Sequence, residues 1–244
     1  MTALPLAPDD AHSTFGLGFT DVHVWHVDLG GADWRNLPDF LRRDEREKMK
    51  RFRTSRLQQR YQRCRSALRI ILGGYLRRDP ADIVFDYRLF GKPELACEPL
   101  RFNVSHSGNR ALIALSRHRL GVDLETIVDR RIDIAAMLPG VCHPSEAAAL
   151  AAQCETDSTP FYRLWTRKEA YCKAIGRGLQ HSLQALRFEE LGSGAAAVID
   201  ESTNAGPAYY VHQLDIQSEF AASVCVTLNA PQFRHLQFTT GRLR

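Results

Sequence analysis

No stretch of this chain approaches the run of about eighteen apolar residues that a membrane-crossing helix needs. Its first residues also lack the basic-then-apolar plan of a secretory leader. The six cysteines (Cys64, Cys97, Cys142, Cys154, Cys172, Cys225) form no C-x-x-C pair and no zinc spacing. That excludes a sulfur-ligated zinc centre and points to free thiols in a reducing cytoplasm. No short-period repeat is visible, and no G-x-S-x-G elbow surrounds Ser105 and His106. Neighbours in sequence rarely point at each other, so these two do not make a hydrolase nucleophile and base.

What the chain does have is length and an ordinary interior. Its 244 residues, 44% of them hydrophobic and 25% charged, suffice for one large domain or two small ones. The net charge of +4 is modest but unevenly spread: Arg42 to Arg69 holds twelve Lys or Arg against three acids. Such a local basic field fits an anionic partner such as phosphate, nucleic acid or an acidic protein.

Periodicity predicts a strand over 22–27, helices over 38–53 and 56–77, and a short strand over 83–87. A strand follows from Phe102 into the polar turn Ser105-His106-Ser107-Gly108. Residues 111–116 and 120–126 read as a hairpin across Arg117-His118-Arg119. A short helix (132–138), an Ala-rich helix opened by Ser145-Glu146 and a helix over 163–175 come next. Strands at 186–188, 196–199, 209–214 and 221–226 precede a basic tail. Both halves give strand, helix and hairpin in similar order. The expectation is an α+β fold of two similar lobes, residues 1–119 and 120–244, related by a pseudo-two-fold axis with a site in the cleft between them.

Three stretches carry chemistry. In Gly121-Val122-Asp123-Leu124-Glu125, strand alternation puts both carboxylates on one face, where they repel unless solvated, paired with cations or bridged by a metal. Oxygen donors without Cys or His favour Mg2+ or Ca2+. On the 163–175 helix, Trp165, Glu169, Cys172 and Lys173 share a face, with Gly176 and Gly178 as stop signals. Alone, Glu169 and Lys173 would be a surface i,i+4 pair contributing roughly 0.2–0.5 kcal/mol. The turn Phe90-Gly91-Lys92-Pro93 lets backbone approach a ligand closely, and the Asn103–Gly108 turn offers hydroxyl, imidazole and amide groups to a phosphate.

Together, Asn103-Val104-Ser105-His106-Ser107, Gly121-Val122-Asp123-Leu124-Glu125 and Trp165-x-x-Lys168-Glu169-Ala170-x-x-Lys173-Ala174-x-Gly176-x-Gly178-Leu179 resemble the 4′-phosphopantetheinyl transferases. The resemblance is to the larger, monomeric surfactin-synthetase-activating type that serves peptide, polyketide and fatty acid synthesis. Gly91-Lys92-Pro93 and Glu47-Lys48-x-x-Arg51-Phe52 fit the same pattern, so the likeness runs from about Leu41 to Leu179.

The resemblance implies transfer of phosphopantetheine from coenzyme A to a serine of an apo acyl or peptidyl carrier protein, releasing adenosine 3′,5′-bisphosphate. By position, Asp123, Glu125 and Glu169 would hold Mg2+, with Mn2+ as an alternative. Lys48, Arg60, Gly91, Lys92, Pro93, Asn103, Ser105 and His106 would hold the nucleotide end, and Lys168 would face the diphosphate. Lys173 or Glu169 would take the serine proton or steady the leaving oxygen; a metal-bound water with Lys173 as stabiliser is the other arrangement. Leu57 stands where many members carry an acid and Glu45 where some carry a Lys, with Arg42, Arg43 or Arg46 as substitutes. Arginines beside apolar residues at 130–138 would meet the carrier protein, or that segment is core helix.

Two rivals come from other classes. A Mg2+-dependent nuclease would also use three acids and a basic face but has no use for the Asn103–Ser107 turn. A non-catalytic coenzyme A or carrier-binding module would not need Asp123, Glu125, Glu169 and Lys173 intact.

Overall fold

The computed structural model describes residues 15–31, 34–35, 37–87, 89–96, 99–128, 134–192, 194–203 and 208–240. Two sheets organise them. The first contains β1 (Asp21–Asp28), β4 (Arg101–Ser107), β5 (Arg110–Ser116) and β11 (Gln232–Gln237), in the order β11-β1-β5-β4. The second contains β6 (Leu120–Thr126), β7 (Leu186–Glu190), β8 (Ala195–Asp200), β9 (Tyr210–Gln213) and β10 (Phe220–Val226), in the order β6-β10-β9-β8-β7. A small hairpin, β2 (Phe85–Tyr87) with β3 (Pro93–Leu95), stands beside them.

Strand alternation divides the interior into three clusters. Trp25 and Val27 of β1, with Ala111, Ile113 and Leu115 of β5, face helix α2 (Ser55–Leu76). Their neighbours Val22, Val24, Leu112 and Ala114 face the other way, onto Leu120, Val122, Leu124, Ala222 and Val224 of the second sheet. The remaining face of that sheet, with Ala196, Val211, Ala221 and Cys225, packs on helix α5 (Thr159–Ile175). Each sheet thus carries one long helix, and the sheets pack their other faces together.

Helix α2 starts where Thr54 Oγ1 accepts from Leu57 N. Its residues Tyr61, Cys64, Leu68, Ile71 and Leu72 recur at helical spacing and are buried. Helix α5 opens with Pro160 in its first turn and stops at Gly176, whose φ of 76° is the left-handed conformation glycine adopts without strain. The shorter helices are α1 (Arg43–Lys50), α3 (Ile134–Val141) and α4 (Pro144–Cys154). Among the described residues no helix is long and apolar enough to cross a membrane.

Three expectations change. Residues 111–116 and 120–126 are not a hairpin: β5 has both edges filled, by β1 and β4, so β6 joins β10 in the other sheet. The first helix is confined to Arg43–Lys50 rather than 38–53. The basic tail contains a strand, β11, which returns to pair parallel with β1 in the sheet built otherwise from residues 21–116. Sequence alternation in β11 is weak because it is an edge strand with mostly exposed side chains.

Candidate active site

Strands β4 and β6 are edge strands of different sheets, yet they are tied together by side chains. Asn103 Oδ1 accepts from Val122 N at 2.9 Å, Ser105 Oγ from Leu124 N at 3.3 Å and Ser107 Oγ from Thr126 N at 3.0 Å. The partners keep a constant offset of nineteen residues, so the strands run side by side in the same direction. Period two on both strands makes this work: every second side chain of β4 meets every second outward amide of β6.

The same hydroxyls reach the acids between those amides. Ser105 Oγ donates to Asp123 Oδ1 at 2.9 Å, and Ser107 Oγ donates to Glu125 Oε2 at 3.1 Å. From the helix side, Lys173 Nζ donates to Asp123 Oδ1 at 2.6 Å and to Ser105 Oγ at 3.0 Å. What brings α5 so near β6 is Gly121. A Cβ there would lie 2.1 Å from Ala170 O and 2.4 Å from Ala174 N, so only glycine lets strand and helix backbones touch.

Burial raises the Glu169 pKa above its ordinary value; Lys173 opposes this, and Asp123 and Glu125 add to it. Glu125 is raised by burial and then by Asp123, against Ser107 and Lys173. Like charges in a shielded place are the condition that an added cation relieves. Asp123 Oδ2 and Glu169 Oε1 are both buried without a hydrogen-bond partner, which is where a hard cation with oxygen ligands fits. Among the described residues no three His, Cys, Asp or Glu side chains converge closely enough to hold a metal as they stand. Sharing one ion therefore requires the three acids to draw together around it.

Cations stand on the α2 side of the seam. Lys48 is exposed, with Nζ 6.0 Å from the Tyr61 ring centroid; partial burial, Arg65 and Arg51 lower its pKa. Arg65 is buried among Tyr61, Phe85 and Tyr87, and Arg60 Nε donates to Asn109 Oδ1 at 2.9 Å. His106 reaches solvent, but crowding about its ring, then Lys173, hold its pKa below the usual value. Gly91, with φ of 78°, turns the β2–β3 connection so that Lys92 and Pro93 follow it.

Several residues expected at the ligand engage protein groups in this structure. Lys168 is 0% exposed, and its Nζ donates to the carbonyls of Val141, Leu183 and Leu186 at 2.9, 3.0 and 2.8 Å. Lys92 Nζ donates to Lys173 O at 2.7 Å and Leu120 O at 3.1 Å, closing the C-terminal end of α5 where carbonyls attract a cation. Asn103 and Ser105 turn to β6 rather than outward to a nucleotide. Glu45 is no absent phosphate ligand but the buried counter-ion of Arg69, 2.8 Å away, with Arg65 at 3.7 Å. Of the substitutes considered, Arg46 pairs with Asp39.

Residues 130–133 of the expected carrier-protein surface lie outside the described residues. In α3, Ile134 and Met137 pack against the second-sheet core, while Ala135 and Ala136 are exposed. Motif reading missed Gly121 and Ser107. The alternation of polar side chains at 103, 105 and 107 was the available signal.

Comparison with known proteins decides the family. A profile described as the ACPS 4′-phosphopantetheinyl transferase superfamily matches residues 119–225. The 4′-phosphopantetheinyl transferase HetI of Nostoc sp. is 32% identical over 214 residues, which cover 84% of this chain and 87% of the relative. The chain belongs to the 4′-phosphopantetheinyl transferase superfamily. The transferase is also similar to Sfp of Bacillus subtilis, 26% identical over 187 residues covering 76% of this chain and 82% of Sfp. A phosphopantetheinyl transferase of Thraustochytrium sp. is 29% identical over 231 residues, 86% of this chain and 80% of its own. The family match spans the strand and helix that carry Asp123, Glu125, Glu169 and Lys173.

Proposed function

We propose that this transferase moves 4′-phosphopantetheine from coenzyme A to a serine of an apo acyl or peptidyl carrier protein, as a monomer in the cytoplasm. The observation that carries this reading is the meeting of Lys173, Asp123 and Ser105 at the β4–β6 seam, with Asp123 Oδ2 and Glu169 Oε1 buried without hydrogen-bond partners.

In this reading Asp123, Glu125 and Glu169 hold Mg2+, and Mn2+ substitutes for it. When bound, that ion supplies charge neutralisation for the diphosphate of coenzyme A. The rest is work of the chain. Phosphoryl transfer needs aligned reactants and shielded charge more than covalent help. Lys48, Arg60 and His106 hold the nucleotide end, and the turn at Gly91 brings backbone to it. The serine oxygen bonds to the phosphorus that carries pantetheine, the diphosphate bridge breaks, and adenosine 3′,5′-bisphosphate leaves. Glu169, whose pKa is raised by burial, takes the serine proton. Lys173 stabilises charge on the reacting oxygens, its Nζ standing beside Asp123 Oδ1 and Ser105 Oγ. Residues 1–119 serve mainly the nucleotide and 120–244 the metal and the catalytic helix, with the carrier protein docking near 130–138.

Mass spectrometry of apo carrier proteins after incubation with coenzyme A and Mg2+ tests this. A gain of one phosphopantetheine mass, abolished by chelator, is expected. No gain across acyl, peptidyl and polyketide carriers would remove the proposal, and nicking of DNA under the same conditions would favour the nuclease.

A further inference from the structure

A serine hydroxyl has one proton and two acceptor lone pairs. At Ser105 all three are assigned. Leu124 N and Lys173 Nζ each donate to its oxygen, so its proton points to Asp123 Oδ1. Asp123 Oδ1 thereby receives two donors, Ser105 and Lys173, while Oδ2 receives none and is buried. Ser107 makes a similar set one step along: it accepts from Thr126 N, donates to Glu125 Oε2 and meets Thr126 Oγ1 at 3.0 Å. Asn103 makes the same kind of tie to Val122 N, without a carboxylate partner among the described residues.

We propose that Ser105 and Ser107 are positioning residues for the metal: each grips one oxygen of a carboxylate and so presents the other for coordination. The seam between the sheets and the orientation of the acids are then one device. A shift of β4 along β6 would turn the carboxylates with it. The proposal rests on the reading of Asp123, Glu125 and Glu169 as metal ligands. Outer hydrogen bonds of this kind typically change metal affinity about 10- to 100-fold when removed.

The test is titration of the full chain with Mn2+, following the free-ion signal by electron paramagnetic resonance, beside urea unfolding of each variant. Ser105→Ala is expected to weaken Mn2+ binding about tenfold or more and Ser107→Ala by a smaller factor, while Ser105→Thr, which keeps the hydroxyl, restores most of it. Asn103→Ala separates orientation from simple loosening of the seam. It should lower the urea midpoint and leave Mn2+ affinity within about twofold. Unchanged affinity in both serine variants, or equal weakening in Asn103→Ala, overturns the proposal. Should Ser105→Ala not fold, Ser107→Ala decides, being at the half-exposed end of the seam. A wild-type chain that binds no Mn2+ removes the metal reading itself, and this inference with it.

Discussion

Lys173 Nζ lies 2.6 Å from Asp123 Oδ1, joining α5 to β6. The ammonium is half-buried and the carboxylate almost wholly so, which makes the contact stronger than an exposed pair, whose usual contribution is about 0–1 kcal/mol. It also sets the ammonium charge against that of Asp123.

Glu169→Gln should abolish carrier-protein loading yet stabilise the fold. Glu169 has a raised pKa, so its favourable contribution is complete below the ordinary glutamate value and is lost as pH rises through the folded value. Near pH 8 without divalent ions, the neutral amide should raise Tm by roughly 2–4 °C, corresponding to about 1 kcal/mol for a domain of this size. The gain should vanish near pH 4. A lower Tm at pH 8 would count against the charge crowding described for the site. Calorimetry at the two pH values reads both outcomes.

Gly121→Ala should destabilise more than an ordinary strand substitution. The new methyl overlaps the backbone of α5 at Ala170 and Ala174, neither of which can rotate away. A loss of roughly 2–4 kcal/mol in urea unfolding is expected. Loading should fall too, since separation of β6 from α5 parts Asp123 from Lys173.

Lys168→Met leaves three buried carbonyls without their donor, at a cost of about 2–4 kcal/mol. In the folded fraction the KM for coenzyme A should stay within about threefold, because the ammonium does not reach the ligand side. A large rise in that KM with an unchanged unfolding midpoint would restore the diphosphate role implied by the motif.

Glu45→Ala strands the Arg69 guanidinium, which is 1% exposed and otherwise bound to Pro80 O and Ile83 O. Breaking a buried pair this way costs about 3–5 kcal/mol. Glu45→Lys should be worse still, as it sets a third cation beside Arg65 and Arg69. Chemical unfolding of both variants orders them.

The elements of the fold were largely legible, and their pairing less so. Long apolar spacing announced α2, and the Lys-Glu pattern ended by Gly176 announced α5, because helix signals are local. The partner of a strand is not. Residues 111–116 and 120–126 had the spacing of a hairpin, and only the competition of β1 and β4 for the edges of β5 sends β6 elsewhere. The site was readable as a set of acids and cations. Which cation serves the fold was not, since Lys168 and Lys173 look alike in sequence and differ in helix face: five residues apart, one points to carbonyls and the other to Asp123.

β11 has an implication for how the protein is made. Residues 232–237 lie parallel to 21–26, so the first sheet is completed by a strand synthesised after every strand of the second. On the ribosome, β1 must wait with one edge bare while the second sheet is translated, and such an edge is open to wrong partners. Pairing over so many intervening residues is slow to form. Expression of residues 1–119 alone would leave that edge open, so the first sheet depends on the far end of the chain for its completion.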